Sequence, residues 1–243
     1  MKRRPELRRP ECRDSLRTTF CCAVFVVLAL WIALPGAATP AQVDASGRVV
    51  TFTKEFPGSV PPFYSITVRE NGEAVYKTEP EDEQPIDFHL PADATSKIFS
   101  LTAKLGESPG QPLESKRRVA NMGKKTVELL EGGEHFTASF NHTEVPEALE
   151  LLGLFERISA TQQHGIRLEY LVRFDRLGVV KALLQLEIDL DAGRLVGPDQ
   201  LVPMLERIRN DRAIAQIATG RAAQILGKIQ AATLSTPSNA PSQ

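Results

Sequence analysis

Cysteine is absent from the chain after residue 22, and this absence removes several chemistries at once. The three cysteines, Cys12, Cys21 and Cys22, all lie close to the N-terminus. The rest of the chain therefore has no disulfide, no thiol nucleophile and no metal site built on thiolates. An apolar core has to hold it together, and a chain of this length buries enough surface to form one.

The sequence also lacks several short motifs that mark common active sites. It contains no H-E-x-x-H, S-x-x-K or G-x-G-x-x-G, the patterns of zinc hydrolysis, serine nucleophiles and dinucleotide binding. The acidic residues Glu187, Asp189 and Asp191 are interpreted as a charged helix end, because the register of a calcium loop is wrong. We therefore predict no catalytic, metal-binding or cofactor-binding residue, and no cofactor.

The first 41 residues have the three parts of a secretory signal peptide. Seven Lys or Arg against three Asp or Glu make the start basic, and every residue from 20 to 34 is apolar. Pro35, Gly36 and a run of small residues lead to Ala41, after which we predict cleavage. The predicted location is periplasmic or secreted. The alternative is an uncleaved N-terminal anchor, although the apolar run is shorter than the ~20 residues of a comfortable transmembrane helix.

The charge beyond this leader argues against nucleic acid as a partner. Residues 42–243 carry 22 Lys or Arg against 27 Asp or Glu, a net charge of −5. Binding to nucleic acid depends on neutralising phosphates with positive charge. The basic runs at 116–118 and 124–125 are interpreted as solvated charges in loops and at strand edges. The expected partner is a protein or another component of the cell envelope, with membrane contact only through an uncleaved leader.

Residues 42–142 are predicted to form an antiparallel sheet with one packed helix. Alternating apolar residues indicate strands near residues 48–56, 63–69, 74–76, 86–90, 125–130 and 135–140. Asn71-Gly72 predicts a hairpin with a two-residue type I′ turn between two of these strands. A helix is predicted to follow the fourth strand and to end at Gly106. Its buried stripe is expected to comprise Ala94, Ile98, Leu101 and Leu105.

The apolar period changes to 3.6 in residues 143–232, which are predicted to be a helical region. The first helix is expected to end near Gln163, with His164 at its C-terminus beside Gly165. A second helical stretch at 166–190 contains Gly178, where a kink or interruption is expected. Residues 233–243 are predicted to be a disordered tail. Strands followed by helices, without β-α-β alternation, predict an α+β fold.

Two resemblances accompany this pattern. Residues 62–68, followed by Gly72 and Tyr76, resemble a small bacterial domain of unknown function. That domain usually carries two cysteines just before the matching strand, and this chain has none there. The chain is also similar to a set of uncharacterised exported proteins from acidobacteria-like bacteria. The matching segments are residues 56–59, 62, 65–68, 119–123, 125–126, 173–175 and 177–178. This resemblance implies export and a related fold, and it brings no activity, substrate or cofactor.

The leading functional hypothesis is a non-catalytic exported protein that acts through protein or envelope contacts. An antiparallel sheet often leaves one polar face open, and this face would be the contact surface. Its predicted members are Ser65, Thr67, Arg69, His89, His135 and Thr137.

Two other functions also fit the sequence. One is a hydrolase-type enzyme whose site is assembled from His89 and His135 with a carboxylate such as Asp87 or Glu134. The other is a membrane-anchored structural or assembly protein, in which the helical half pairs with a second copy through an uncovered apolar face.

Overall fold

The computed structural model describes residues 47–107 and 112–235. The predicted signal peptide at 1–41 lies outside the described residues. The predicted tail at 233–243 lies outside them as well, apart from its first three residues, whose backbone is helical.

Six antiparallel strands form one sheet, in the order β4-β3-β2-β1-β5-β6. The strands are Val49–Glu55 (β1), Phe63–Arg69 (β2), Glu73–Lys77 (β3), Ile86–His89 (β4), Lys124–Glu131 (β5) and Glu134–Phe140 (β6). Helices follow the sheet in the chain, and the predicted α+β fold with a C-terminal helical region is confirmed. The strands form where they were expected because alternate residues bury one face, as in β2, where Tyr64, Ile66 and Val68 are buried.

The turn between β2 and β3 differs from the predicted one. Residues 70–72 connect the two strands, and the Gly72 amide donates to the Arg69 carbonyl oxygen at 2.9 Å. Gly72 has a φ of 88°, a left-handed conformation that strains any residue with a Cβ. A Cβ there would also lie 2.7 Å from His89 Cε1. The hairpin is therefore present, but its loop is of the three-residue kind, with glycine at the left-handed position.

Two helices cover one face of the sheet, where one was predicted. The first is α1 (Ala92–Gly106), and its predicted stripe of Ala94, Ile98, Leu101 and Leu105 is buried. The second is the N-terminal half of α2 (Pro146–Phe174). Phe155 of α2 stacks on Phe52 of β1, with ring centroids 4.6 Å apart and planes 7° apart. This helix packs on the sheet because Leu151, Phe155 and Ile158 share one of its faces.

Lys125 on β5 is buried on this covered face, so the interpretation of 124–125 as solvated charges is wrong for it. The residue is only 3% exposed. Its ammonium group donates to the Met122 carbonyl at 2.8 Å and to the Asn141 carbonyl at 2.7 Å. Burial, together with the nearby charge of Lys54, lowers the pKa of Lys125. A buried ammonium is tolerated here because two carbonyl oxygens replace water around it.

The helix α2 runs without a break from Pro146 to Phe174, so the predicted end near Gln163 is wrong. His164 lies inside the helix and does not cap it. Gly165 lies inside the helix, and its lack of a side chain makes room for Leu201, because an added Cβ would lie 3.3 Å from Leu201 Cδ2. The interruption expected at Gly178 is confirmed, since the next helix begins there.

Four further helical segments complete the described chain. They are α3 (Gly178–Asp191), a 3₁₀ turn (Pro198–Leu201), α4 (Val202–Asn210) and α5 (Gln216–Ser235). Their buried residues form a second apolar cluster with the C-terminal half of α2, from Leu168 onward. The N-terminal half of α2, up to Ile158, belongs to the sheet cluster. In residues 47–107 and 112–235, no helix has both the length and the apolar character needed to cross a membrane.

The stacking of Phe155 on Phe52 should contribute strongly to stability. We expect Phe155→Ala to lower the free energy of unfolding by about 3–5 kcal/mol, because it leaves a cavity between α2 and the sheet. Leu149→Ala is the matched control on the same helix, since Leu149 is 46% exposed, and it should change the value by less than about 1 kcal/mol. Urea unfolding of both variants measures the difference, and equal losses would contradict this packing.

Candidate binding cleft

The six residues predicted to form a contact surface do lie on the face of the sheet that the helices leave open. Ser65, Thr67 and Arg69 lie on β2, whereas His89 is on β4 and His135 and Thr137 are on β6. Because β4 and β6 are the two edges of the sheet, five strand spacings separate His89 from His135. That separation is about 24 Å. The six residues are therefore spread across the sheet and do not gather into one site.

Hydroxyl groups on this open face largely pair with one another. Thr51 and Thr67 are 3.2 Å apart, and Thr126 and Ser139 are 2.9 Å apart. The hydroxyl of Thr137 is 3.2 Å from Nε2 of His135 on the same strand. Cross-strand pairs of this kind stabilise the sheet.

The histidines of the sheet have no carboxylate partner in the described part of the chain. Glu134 neighbours His135 in sequence, and successive side chains of a strand point to opposite faces. Asp87 is on β4 with His89, and no hydrogen bond joins the two. The residues suggested for a hydrolase site on the sheet are therefore not brought together.

A cleft lies elsewhere, between α2 and the loop that joins β1 to β2. Its volume is about 670 Å³, which is within the range of small-ligand sites. The residues that line it come from two regions. The sheet and its loop contribute Lys54, Ser59, Val60, Pro61 and Tyr64, and α2 contributes Glu156, Ser159, Ala160, Gln163, His164, Ile166, Arg167 and Tyr170.

Tyr64 is the unusual member of this lining. It is 4% exposed, and its hydroxyl has no hydrogen-bond partner among the described residues. Burial, with a smaller contribution from the charge of Glu156, raises the pKa of Tyr64 well above its ordinary value. The phenol therefore stays protonated at neutral pH and is available as a donor. An unpartnered buried hydroxyl costs about 1–3 kcal/mol.

The neighbouring Tyr76 shows what a satisfied hydroxyl looks like in the same environment. Its ring centroid is 6.0 Å from that of Tyr64. The Tyr76 hydroxyl is 3.1 Å from the Ser159 hydroxyl and accepts a hydrogen bond from Gln163 Nε2 at 2.7 Å. Both partners lie on α2, so the helix serves one tyrosine and leaves the other without a partner.

The polar groups at the cleft carry a net positive charge. Lys54 Nζ is 2.9 Å from Glu156 Oε1 and 6.0 Å from the centre of the Tyr64 ring. Arg167 is exposed and makes no ion pair within the part of the chain that the structure describes. Two cations against one carboxylate leave the cleft suited to an anion.

His164 connects the cleft to α3. Its Nε2 is 2.8 Å from Asp189 Oδ2, and Asp189 also accepts hydrogen bonds from Arg194 and Gln185. Burial alone would raise the pKa of Asp189, but the hydrogen bonds from Arg194, His164 and Gln185 outweigh it and lower this pKa. Asp189 lies in the last turn of α3, at the charged helix end that the sequence predicts, and it also joins α2 to α3 through His164.

The sequence did not reveal this cleft, although the predicted burial of Tyr64 was one signal of it. Polar and apolar residues are mixed around α2, so the spacing of Gln163, His164 and Arg167 does not mark a site. The alternation of β2 correctly predicts that Tyr64 is buried, but whether its hydroxyl has a partner depends on residues about 90 positions away in a long chain.

In residues 47–107 and 112–235, no group of three or more His, Cys, Asp or Glu is placed to hold a metal ion.

At the rim of the cleft, apolar side chains extend into solvent. Val60 is 96% exposed, Tyr170 59% and Phe174 72%. The rings of Tyr170 and Phe174 are 5.1 Å apart, and Val60 and Tyr170 both line the cleft. We refer to these three residues as the apolar rim.

No model of a known protein family matches this chain, and no curated protein matches it either.

The two tyrosines give a matched test of the unpartnered hydroxyl. We expect Tyr64→Phe to leave the free energy of unfolding unchanged or to raise it by about 1 kcal/mol, because it removes a buried group that has no partner. Tyr76→Phe should lower it by about 1–3 kcal/mol, because Ser159 and Gln163 lose their partner. Urea unfolding compares the two, and equal losses would show that the Tyr64 hydroxyl is hydrogen-bonded.

The network around Asp189 predicts a pH dependence of stability. Because the folded-state pKa of Asp189 is lowered, its contribution is present at neutral pH and is lost as pH falls below the ordinary Asp value. We expect Asp189→Asn to lower the free energy of unfolding by about 1–3 kcal/mol at neutral pH, with a smaller difference from wild type near pH 2. A difference that does not change with pH would contradict this assignment. Glu150→Gln, at an exposed ion pair with Lys97, is the control and should change stability by less than about 1 kcal/mol.

Proposed function

We propose that this chain is an exported, non-catalytic interaction protein, and that it contacts a protein partner through the apolar rim. The observation that carries the proposal is the exposure of Val60, Tyr170 and Phe174 beside a cleft. Exposed apolar side chains that cluster are typical of interaction sites, whereas single ones are common on any surface. Aromatic residues are also enriched in the centres of protein interfaces.

Export is supported by the leader pattern in residues 1–41. A periplasmic or secreted location follows from cleavage of this leader. An uncleaved leader would instead make the chain a membrane-anchored structural or assembly protein, and the N-terminus of the purified protein distinguishes the two.

The open sheet face is the other proposed contact surface. No described element covers it, and it presents Ser65, Thr67, Arg69, His89, His135 and Thr137. The apolar rim is the stronger candidate, because hydroxyls of the sheet face bond to one another or to His135 and offer little apolar area to a partner.

A hydrolase-type enzyme is a second candidate, favoured by the hydrogen bond between His164 and Asp189 at the cleft. A carboxylate that orients a histidine is a recurrent part of nucleophilic sites. No hydroxyl in the described residues bonds to His164, and the Asp189 carboxylate accepts four other hydrogen bonds, two from Gln185 and two from Arg194. This candidate predicts hydrolysis of a simple activated ester that His164→Gln abolishes.

Site-specific cross-linking in the native host tests the apolar rim directly. A photo-reactive residue at Phe174 should give one reproducible protein adduct, identified by mass spectrometry. The matched control is Ile217 on α5, which is 64% exposed and lies outside the rim, and it should give none. The same experiment reports the N-terminus, which we expect near Gln42.

Two results would contradict the proposed surface. Identical adducts at Phe174 and Ile217 would indicate non-specific collision. An adduct formed only from Thr137, lost in the double variant Arg69→Glu with His135→Ala, would move the contact to the open sheet face.

A further inference from the structure

The cleft between α2 and the β1–β2 loop contains a buried donor that nothing in the described protein satisfies. Tyr64 is only 4% exposed, and its hydroxyl has no hydrogen-bond partner among the described residues. Native structures rarely leave such a group unpaired, so each case calls for an explanation. Tyr76 beside it has two partners, which shows that α2 can supply them.

The charges next to this hydroxyl favour an anionic ligand. Lys54 and Glu156 form an ion pair beside the Tyr64 ring, and Arg167 lines the same cleft without an ion pair in the described residues. A protonated phenol and an ammonium group are both donors, so together they suit an acceptor with two oxygens. The Glu156 carboxylate pairs with Lys54 but does not bond to the Tyr64 hydroxyl.

The outer part of the cleft is apolar. Val60, Pro61, Ile166 and Tyr170 line it, and Val60 and Tyr170 expose most of their surface. An anion with an apolar body would cover these side chains while its charged end lies deeper. The volume of about 670 Å³ suits a small molecule.

We propose that the cleft binds a small amphipathic carboxylic acid. Its carboxylate accepts a hydrogen bond from the Tyr64 hydroxyl and pairs with Lys54, displacing Glu156, while its apolar body lies against Val60, Pro61 and Tyr170. Because the hydroxyl is sealed from solvent in the structure, the Lys54–Glu156 pair opens when the ligand enters. This inference does not depend on a protein partner at the apolar rim.

Isothermal titration calorimetry of the full chain with decanoate, below its micelle concentration, tests the proposal. Decanamide has the same apolar body without the charge, and we expect it to bind at least about 10-fold more weakly. Tyr64→Phe should weaken decanoate binding by about 10-fold, since one hydrogen bond to a charged group is lost. Thermal unfolding confirms that the variant is folded.

The Glu156→Gln variant distinguishes a binding role of the Lys54–Glu156 pair from a purely structural one. It removes the carboxylate that competes for Lys54, so decanoate should bind several-fold more tightly. Glu150→Gln makes the same change of charge on the same helix outside this cleft and should leave the affinity within about twofold.

Three outcomes would overturn the proposal. They are equal binding of decanoate and decanamide, unchanged affinity in a folded Tyr64→Phe variant, and weaker binding by Glu156→Gln. A fourth outcome comes from the same titration with a leucine-terminated peptide that has a free or an amidated C-terminus. If the free-acid peptide binds and decanoate does not, the ligand is a protein C-terminus and the small-acid proposal is wrong.

Discussion

A single unbroken helix, α2, is shared by two apolar clusters, and the rest of the described structure is arranged around it. Its N-terminal half places Leu151, Phe155 and Ile158 on the sheet, and its C-terminal half places Leu168 in the cluster formed with α3, α4 and α5. The helix has to remain straight enough to serve both clusters at once. A helix terminus at Gln163 would separate the two clusters, and the contact of Gly165 with Leu201 shows how closely the second cluster approaches.

The same helix forms one wall of the cleft, and its polar side chains bond to different partners along its length. Near its middle, Ser159 and Gln163 bond to Tyr76, and His164 turns to Asp189 on α3. Tyr64 lies beside Tyr76 but is left without a hydrogen-bond partner among the described residues. Satisfying its hydroxyl from α2 would require another polar residue at a position that now lines the cleft. Native proteins more often accept a local defect of this kind at a functional site than elsewhere.

Local patterns predicted much of the fold but little of the site. The bounds of β2 and the buried stripe of α1 follow from alternation and from the 3.6-residue period, which are properties of short segments. The burial of Lys125 and the continuity of α2 through His164 and Gly165 do not, since both depend on partners distant in sequence. Gly165 would end many helices, but here the helix continues through it to Phe174. The cleft was missed for the same reason, because it exists only where the β1–β2 loop meets α2.

We propose that the unpartnered Tyr64 hydroxyl marks a ligand site rather than a defect of packing. A crystal structure of the protein grown with decanoate provides the test. We expect a carboxylate within hydrogen-bond distance of the Tyr64 hydroxyl and of Lys54 Nζ, with Glu156 moved away and the apolar chain against Pro61 and Tyr170. A cleft without decanoate, in which an ordered water bonds to the Tyr64 hydroxyl and the Lys54–Glu156 pair is intact, would contradict it.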